Sequence, residues 1–196
     1  VTGDKDFVLT SEQQEIQLGA QMHKEVLKEY AALGEPALQA YVNQIGQRLA
    51  KLSHRPHLQW HFTVVDSPEV NAFALPGGYV YITRGIMAYL NSEAELAGVL
   101  AHEMGHVTAR HGVRQQSTAT AVGLGAMLGS ILVPGLNNQG GATLLQTIAQ
   151  AWTAGYGREH ELQSDRLGAQ YIAQAGYAPQ AMIEVIGILK NQEVFD

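Results

Sequence analysis

Residues 92–112 have the sequence SEAELAGVLAHEMGHVTARHG, which combines the signals of a helix start with two histidines four residues apart. Ser92 followed by Glu95 is typical of a capping box, in which each side chain satisfies a free backbone N–H at the start of a helix. An apolar run follows at helical spacing, and Gly112 is typical of a residue that ends a helix. These signals predict one helix over residues 92–111.

His102 and His106 lie four residues apart in that helix, and Glu103 directly follows the first histidine. Residues at this spacing lie one above the other on a helix, so both imidazoles can reach a single ion. Two neutral nitrogen donors suit zinc, and the adjacent carboxylate can act as a general base towards a water molecule that the ion activates. The spacing therefore predicts a catalytic zinc site. The alternative is a solvated helix face with two unrelated histidines, which the helical context disfavours.

A catalytic zinc needs a third protein ligand. A metzincin would place a histidine six residues after His106, but Gly112 occupies that position. A thermolysin-like site takes a glutamate from a second helix with an aspartate one turn later, and Glu161 and Asp165 have this spacing. We expect Glu161 to bind the metal and Asp165 to accept a hydrogen bond from a ligand histidine. Glu159 competes for the ligand role, but no aspartate lies four residues after it.

The segments around this helix predict an α+β fold, mostly helical and with a small three-stranded sheet. Apolar residues recur at helical spacing before the sheet, and β-branched and aromatic residues then alternate as they do in strands. Neither a repeat nor a flexible linker divides the chain. We therefore expect a single domain over residues 1–196, made of N-terminal helices (11–53), a small sheet (58–83), the metal helix (92–111), an uncharged helical hairpin (115–157), a third-ligand helix (158–175) and a C-terminal helix (179–190).

The composition excludes several classes of function. A net charge of -6 argues against a nucleic-acid partner, because phosphate binding normally needs a clustered basic excess. The chain has no cysteine, which rules out a thiolate metal site, a cysteine nucleophile and disulfides. Because the sequence begins with Val1 rather than Met, we expect a processed piece whose signal sequence has been removed.

Three segments together resemble a known peptidase family. They are NAFALPGGYVYITRG (residues 71–85), ELAGVLAHEMGH (residues 95–106) with Arg110-His111 just after it, and REHELQSDR (residues 158–166). The likeness is to the peptidase family that includes HtpX, the CAAX prenyl proteases and the periplasmic BepA-type proteases, and it is nearest to the soluble BepA-like branch. It extends from about Leu9 to Leu189.

This resemblance implies a gluzincin fold, with zinc held by His102, His106 and Glu161 and with Glu103 as the base. It implies hydrolysis of peptide bonds in extended or misfolded proteins, in the periplasm or cell envelope of a bacterium. The family usually has Ser before the Arg of its Arg-x-x-Glu segment and Ala before the final Asp. Here these positions are Gly157 and Ser164, which are exchanges between small residues.

The resemblance also assigns a role to residues 71–74. In gluzincins an edge strand above the zinc pairs with extended substrate through its backbone groups, which supply affinity with little side-chain selectivity. The alternative is a strand that only leads into a structural Pro-Gly-Gly turn. We favour the substrate strand, formed by Asn71, Ala72, Phe73 and Ala74.

Other polar residues receive weaker assignments. Arg158, one helical turn before Glu161, is expected either to brace the site or to stabilise an oxyanion, and Tyr156 is a second oxyanion candidate. Arg110 and His111 suit the dipole at the end of the metal helix, although Arg110 is also a candidate partner for a carboxylate near the site. A second metal site is conceivable from the remaining clustered histidines, but we expect surface positions for His54, His57 and His61.

Residues 115–157 contain no Asp, Glu, Lys, Arg or His. We interpret this segment as a mostly buried helical hairpin over the active site, and contact of residues 118–154 with a membrane surface or an envelope protein is the alternative. The segment also motivates a rival function. In that hypothesis the protein is a zinc-bound chaperone or scaffold with latent proteolysis, which binds client chains along the edge strand.

Overall fold

Helices surround one small sheet in the structure, a computed structural model that describes residues 10–119 and 155–192. The predicted α+β class is therefore confirmed. The elements in chain order are α1 (Glu12–Glu29), α2 (Pro36–Leu52), β1 (His61–Val65), β2 (Ala72–Leu75), β3 (Tyr79–Thr83), α3 (Arg84–Met87), α4 (Glu93–Thr108), α5 (His111–Ala119), α6 (Arg158–Gln174) and α7 (Gln180–Gln192).

The sheet has the strand order β1-β3-β2. β3 lies in the middle, parallel to β1 and antiparallel to β2, so β2 is an edge strand. The predicted Pro-Gly-Gly turn joins β2 to β3. Gly77 and Gly78 have φ values of 83° and 103°, a backbone region that glycine adopts without strain.

The two faces of the sheet pack against different helices. One face contributes to the main core together with α2, α4, α6 and α7, where Leu49, Val64, Ile82 and Leu100 are almost fully buried. The other face carries α1, through a smaller cluster that includes Met22 and Tyr81.

α4 is the central helix of the described residues. Every residue from Glu95 to Thr108 is buried, because the sheet covers one side of the helix while α6 and α7 cover another. A helix in this position must be apolar or small on nearly all sides. The polar residues of the metal motif are therefore enclosed in protein. This rules out the alternative that the two histidines lie on a solvated helix face.

The end of α4 differs from the prediction. The helix stops at Thr108, four residues before Gly112, and Gly112 lies inside the next helix. The reversal occurs at Arg110, which has a φ of 59° although it is not glycine. Its guanidinium is held by Glu15 at 2.8 Å and by the Thr10 carbonyl at 2.6 Å. Contacts with α1 thus fix the helix end, and the predicted glycine stop is wrong.

The start of α4 follows the predicted cap only in part. The Ser92 side chain accepts a hydrogen bond from the Glu95 backbone N–H at 3.2 Å. The Glu95 carboxylate, however, accepts from the backbone N–H of Asn91 at 2.6 Å and not from that of Ser92. Glu95 still caps the start of the helix, but its partner is the backbone N–H of Asn91, one residue before the expected one.

α1 carries a buried charge that its pattern does not reveal. Glu15 is fully buried and forms ion pairs with Arg55 at 2.7 Å and with Arg110 at 2.8 Å. Ile16 and Leu27, two apolar positions of the same helix, are each 39% exposed. The helix is thus fastened to the core by this charged cluster as well as by apolar contacts.

The other boundaries shift slightly. β1 begins at His61 and not at Leu58, because residues 55–58 form a turn in which Leu58 N–H donates to the Arg55 carbonyl. Asn71 precedes β2 and pairs with Thr83. α6 ends before Gly176, which has a φ of 90°, and α7 runs to Gln192.

Most of the uncharged hairpin predicted over residues 115–157 lies outside the described residues. The contact surface proposed for residues 118–154 falls almost entirely there as well. Within the described residues, none of the helices combines the length and the hydrophobicity that a bilayer crossing requires.

Candidate metal centre

Three donor side chains from two helices converge at the middle of α4. Nε2 of His102 lies 3.1 Å from Nε2 of His106. The two oxygens of Glu161, which projects from the first turn of α6, lie 3.3 Å from Nε2 of His102 and 3.6 Å from Nε2 of His106. Among the described residues, this is the group of His and acidic side chains that could hold a metal ion. The structure therefore brings together the three residues that the sequence predicts as ligands.

The spacing of these donors fits one tetrahedrally coordinated ion. Ligand atoms that each lie about 2.0–2.1 Å from such an ion are about 3.3–3.4 Å apart. The three measured separations of 3.1, 3.3 and 3.6 Å fall around this value. Two histidine nitrogens and one carboxylate also leave a fourth position. The side chain of Glu161 is 42% exposed whereas that of His106 is 4% exposed, so the group opens towards solvent on the Glu161 side.

Small residues let α6 approach α4 closely enough to deliver Glu161. A Cβ added at Gly105 would lie 2.9 Å from both the Cα and the carbonyl oxygen of Ser164. A Cβ added at Gly168 would lie 3.1 Å from the backbone nitrogen of His102. The hydroxyl of Ser164, which replaces the usual alanine, donates to the His102 carbonyl at 2.7 Å. The motif glycine therefore sets the distance between the two ligand-bearing helices.

Asp165 orients His102. Its carboxylate lies 3.0 Å from Nδ1 of the imidazole, and because a carboxylate only accepts, Nδ1 must donate. Nε2 then points at Glu161 and His106. Burial alone would lower the pKa of His102, but hydrogen bonds to Asp165 and Glu161 outweigh it and raise this pKa to about 10. Without an ion the ring therefore carries a proton on Nε2, which an incoming ion has to displace.

His106 has a different partner, which the sequence interpretation missed. Nδ1 of His106 lies 3.0 Å from Nδ1 of His111, and Nε2 of His111 lies 2.8 Å from Oε1 of Gln163. The assignment of His111 to the helix dipole is wrong. The residue is fully buried beyond the end of α4, and burial lowers its pKa to about 4, so it is neutral at pH 7. Burial and the neighbouring His102 likewise hold the pKa of His106 well below its ordinary value.

Glu103 lies beside the three donors without belonging to them. Its side chain is buried, and burial together with the nearby charge of Glu161 raises its pKa to about 7, although His102 acts in the opposite direction. A carboxyl group with a pKa near neutrality can both take up and release a proton at physiological pH. This is the property expected of a general base.

The remaining sequence candidates lie at or just before the start of α6. Arg158 and Glu159 are exposed at the start of α6, and within the described residues Arg158 makes no ion pair. The Glu161 assignment over Glu159 thus agrees with the geometry. Tyr156 lies against the centre, with its ring stacked on that of His106 at a centroid distance of 4.1 Å.

The three clustered histidines before the sheet do not form a second metal group. His54 lies 2.7 Å from the Tyr171 hydroxyl, while Nε2 of His57 lies 3.0 Å from Glu12. His61 stacks on the ring of Tyr79 at 4.6 Å. Each ring has its own partner, as expected from residues that straddle a turn and the start of a strand.

β2 runs beside α4 and forms one edge of the sheet. No other strand among the described residues pairs with that edge. The opposite edge of the sheet is covered, because Leu33 and the Gln39 side chain hydrogen-bond the backbone of Val64. A gap of about 10 Å³, the size of a single water molecule, lies between the end of β2 at Ala74 and Leu75 and the His106 side of the candidate centre.

Comparison with known proteins places this arrangement in a family. The chain is 35% identical over 186 residues to the beta-barrel assembly-enhancing protease of Escherichia coli K12, which covers 91% of this chain and 38% of that protein. It is 37% identical over 165 residues to the protein of the same name from Yersinia pestis, covering 81% of this chain and 34% of the relative. It is 32% identical over 162 residues to the mitochondrial metalloendopeptidase OMA1 of Schizosaccharomyces pombe, covering 81% of this chain and 47% of the relative.

The chain thus spans less than half the length of these relatives. The model of peptidase family M48 matches residues 36–196, a range that contains α4, α6 and the edge strand. This agrees with the resemblance found in the sequence. The match extends over most of the chain and includes both helices that carry the candidate ligands, so the chain belongs to peptidase family M48.

Proposed function

We propose that the chain is a zinc-dependent endopeptidase that hydrolyses peptide bonds of extended or misfolded proteins. The observation that carries this proposal is the convergence of three donor side chains, with the nitrogens and oxygens of different side chains 3.1–3.6 Å apart, beside a buried carboxyl group. His102, His106 and Glu161 would hold one zinc ion per chain, and Glu103 would be the general base. Two imidazoles and one carboxylate with a fourth position left open form a donor set typical of catalytic zinc.

A bound zinc ion would lower the pKa of a water molecule and polarise the scissile carbonyl. Glu103 would accept a proton from the attacking water and would later pass it to the leaving amine. Without an ion, burial raises the pKa of this carboxyl to about 7, so it holds a proton more readily than an exposed glutamate does. With an ion on Nε2 of each ring, His102 and His106 would be neutral ligands, and their Nδ1 atoms are held by Asp165 and His111.

The edge position of β2 supports the choice of an extended substrate. Backbone groups at an open strand edge can pair with any polypeptide in extended conformation, with affinity that depends little on its side chains. β2 packs beside α4, so a chain paired with this edge would run past the helix that carries Glu103. Asn71, Ala72, Phe73 and Ala74 are therefore proposed as the substrate strand, with Asn71 at its entrance because the regular strand begins at Ala72.

The relatives suggest where the protein acts. Two of them are bacterial proteases named for the assembly of β-barrels. We propose a periplasmic or cell-envelope location and polypeptide substrates that include envelope proteins. Cell fractionation with detection of the chain would test the location, and recovery with cytosolic markers would contradict it. Contact with a membrane or envelope protein through residues 118–154 stays a prediction.

Comparison of two glutamine variants tests the role of Glu103. Glu103→Gln should retain one equivalent of zinc but lose cleavage of an unfolded protein such as casein. Glu159→Gln is the matched control, because this exposed carboxylate on α6 is outside the donor group. Wild-type cleavage should stop on addition of a chelator and return with zinc. Retained turnover by a pure, metal-loaded Glu103→Gln variant would exclude this residue as the base.

A second variant tests the proposed ligand set. The cleavage assay with and without chelator also distinguishes the peptidase from the scaffold hypothesis. Glu161→Ala should lower zinc affinity because it removes one of three donors, and unchanged stoichiometry and affinity would mean that the third ligand lies elsewhere. If the wild-type protein binds unfolded chains equally with and without chelator and cleaves none of them, the scaffold hypothesis replaces the peptidase.

A further inference from the structure

Behind His106, on the side away from the other two donors, lies a second histidine. The two Nδ1 atoms are 3.0 Å apart, which is a hydrogen-bond distance that only one proton can bridge. His111 is fully buried, so no solvent molecule competes for this contact. The direction of the bond therefore determines which nitrogen of His106 is left with a lone pair.

Gln163 determines that direction. Its Oε1 lies 2.8 Å from Nε2 of His111, and because a carbonyl oxygen only accepts, Nε2 of His111 must donate. The neutral ring of His111 then presents an unprotonated Nδ1, which accepts the proton on Nδ1 of His106. Nε2 of His106 keeps its lone pair, and this is the atom that faces Glu161.

The ring of His111 is held in place by a neighbouring ring and by the course of its own backbone. It stacks on His160 at a centroid distance of 4.3 Å with an interplanar angle of 18°. Its backbone position follows from the reversal at Arg110, whose positive φ turns the chain back towards the end of α4. The acceptor that His106 meets is therefore fixed before any ion arrives.

We propose that His111 and Gln163 are positioning residues, which form a neutral hydrogen-bond relay that fixes the tautomer of His106 and aims its Nε2 at the metal ion. The two ligand histidines are then held by different means. His102 donates to the charged carboxylate of Asp165, whereas His106 donates into an uncharged chain that ends at an amide. The neutral partner orients the ring without adding a negative charge to a group that already contains Glu161, Asp165 and Glu103.

Variants of His111 test the relay through metal affinity. His111→Phe keeps a planar ring but removes the acceptor, and the affinity for zinc should fall about 10- to 100-fold, as for the loss of other partners of ligand histidines. His111→Asn places a carbonyl oxygen near the position of Nδ1, and it should restore most of that affinity. Equal affinity in both variants, whether as high as wild type or lowered alike, would overturn the relay, because the relay requires the variant that keeps an acceptor to bind zinc more tightly.

A milder variant tests the relay if substitutions at the buried position 111 prevent folding. Gln163→Met has a similar length but no acceptor, and it should lower zinc affinity by about tenfold. Gln170→Met, at an exposed position of the same helix, is the control and should bind zinc as the wild type does. Wild-type affinity in Gln163→Met would contradict the relay.

The proton positions can be measured without metal, which keeps this test separate from that of the proposed function on which it rests. In nitrogen NMR of the metal-free protein, His106 should carry its proton on Nδ1 and His111 on Nε2. In Gln163→Met the resonances of His111 should change from one tautomer to a mixture. A proton on Nε2 of His106 in the wild type would refute the relay even if zinc binds. If wild type binds no zinc at all, the peptidase proposal fails while the tautomer measurement still decides the relay.

Discussion

Replacing the motif glycine with alanine should separate the two ligand-bearing helices. A Cβ at position 105 would lie 2.9 Å from the Cα and from the carbonyl oxygen of Ser164, whereas ordinary contacts begin at 3.4 Å. Both contacts involve backbone, so a side-chain rotation cannot relieve them. α6 must therefore move away from α4 by about 0.5 Å or more, a displacement at which metal and catalytic sites lose their geometry.

The change in stability can be bounded from the same contacts. Overpacking of a close-packed interior costs about 1–3 kcal/mol, and the better helix propensity of alanine returns about 0.5–1 kcal/mol. Gly105→Ala should therefore be destabilised by about 0–2.5 kcal/mol, with a central value of about 1 kcal/mol, which lowers the midpoint of thermal unfolding by a few degrees for a chain of this size. Because Glu161 moves with α6, zinc affinity should fall by at least about tenfold.

Gly98→Ala on the same helix is the matched control. Its new Cβ would meet the Met182 sulfur at 3.3 Å, a flexible group that can adjust, and the next contacts are at 3.6 Å or more. This variant should keep wild-type zinc affinity and unfold at the same temperature as wild type or slightly above it. Thermal unfolding and competition with a chromophoric chelator measure both quantities. If Gly105→Ala keeps both the melting temperature and the affinity of Gly98→Ala, the approach of α6 is not limited at Gly105.

Two further predictions concern buried charge. Arg55→Met should destabilise the protein by about 3 kcal/mol in urea unfolding, because it removes one partner of the fully buried Glu15 carboxylate. The control Arg48→Met breaks an exposed ion pair and should cost less than about 1 kcal/mol. Similar losses of stability in both variants would contradict the burial argument. At about pH 8.5, zinc binding should release about one proton from His102, whose pKa without the ion is about 10. Asp165→Asn should lower this pKa, so that zinc binding releases fewer protons, as measured by calorimetry in buffers of different ionisation enthalpy. An unchanged number of released protons would show that Asp165 does not raise this pKa.

The features that the sequence predicts well are those encoded by short spacing. His102 and His106 are one helical turn apart, and Glu161 and Asp165 repeat that spacing on α6, so helix geometry alone places each pair on one face. The glycines of the turn before β3 identify a chain reversal in the same way. These signals need no knowledge of distant residues, and the structure brings the predicted residues together.

The features that the sequence conceals depend on distant partners. Glu15 has the appearance of an ordinary solvated acid in the first turn of a helix, but the arginines that pair with it lie 40 and 95 residues further along the chain. His111 and Gln163 are separated by 52 residues, and the five-residue spacing of His111 from His106 does not by itself reveal that the two rings meet. Local rules also favour Gly112 as a helix end over Arg110, because arginine rarely adopts a positive φ. Tertiary contacts override that preference.

Arg110 connects these two concealed features. A positive φ costs a residue other than glycine about 1–2 kcal/mol, so the conformation persists only where its surroundings hold it. Here Glu15 and the Thr10 carbonyl bind the guanidinium, and the same reversal directs the next residue, His111, onto His106. α1 therefore supports the orientation of a candidate metal ligand although it contributes no ligand itself. The family match begins only at residue 36, so this support comes from a part of the chain that precedes the matched region.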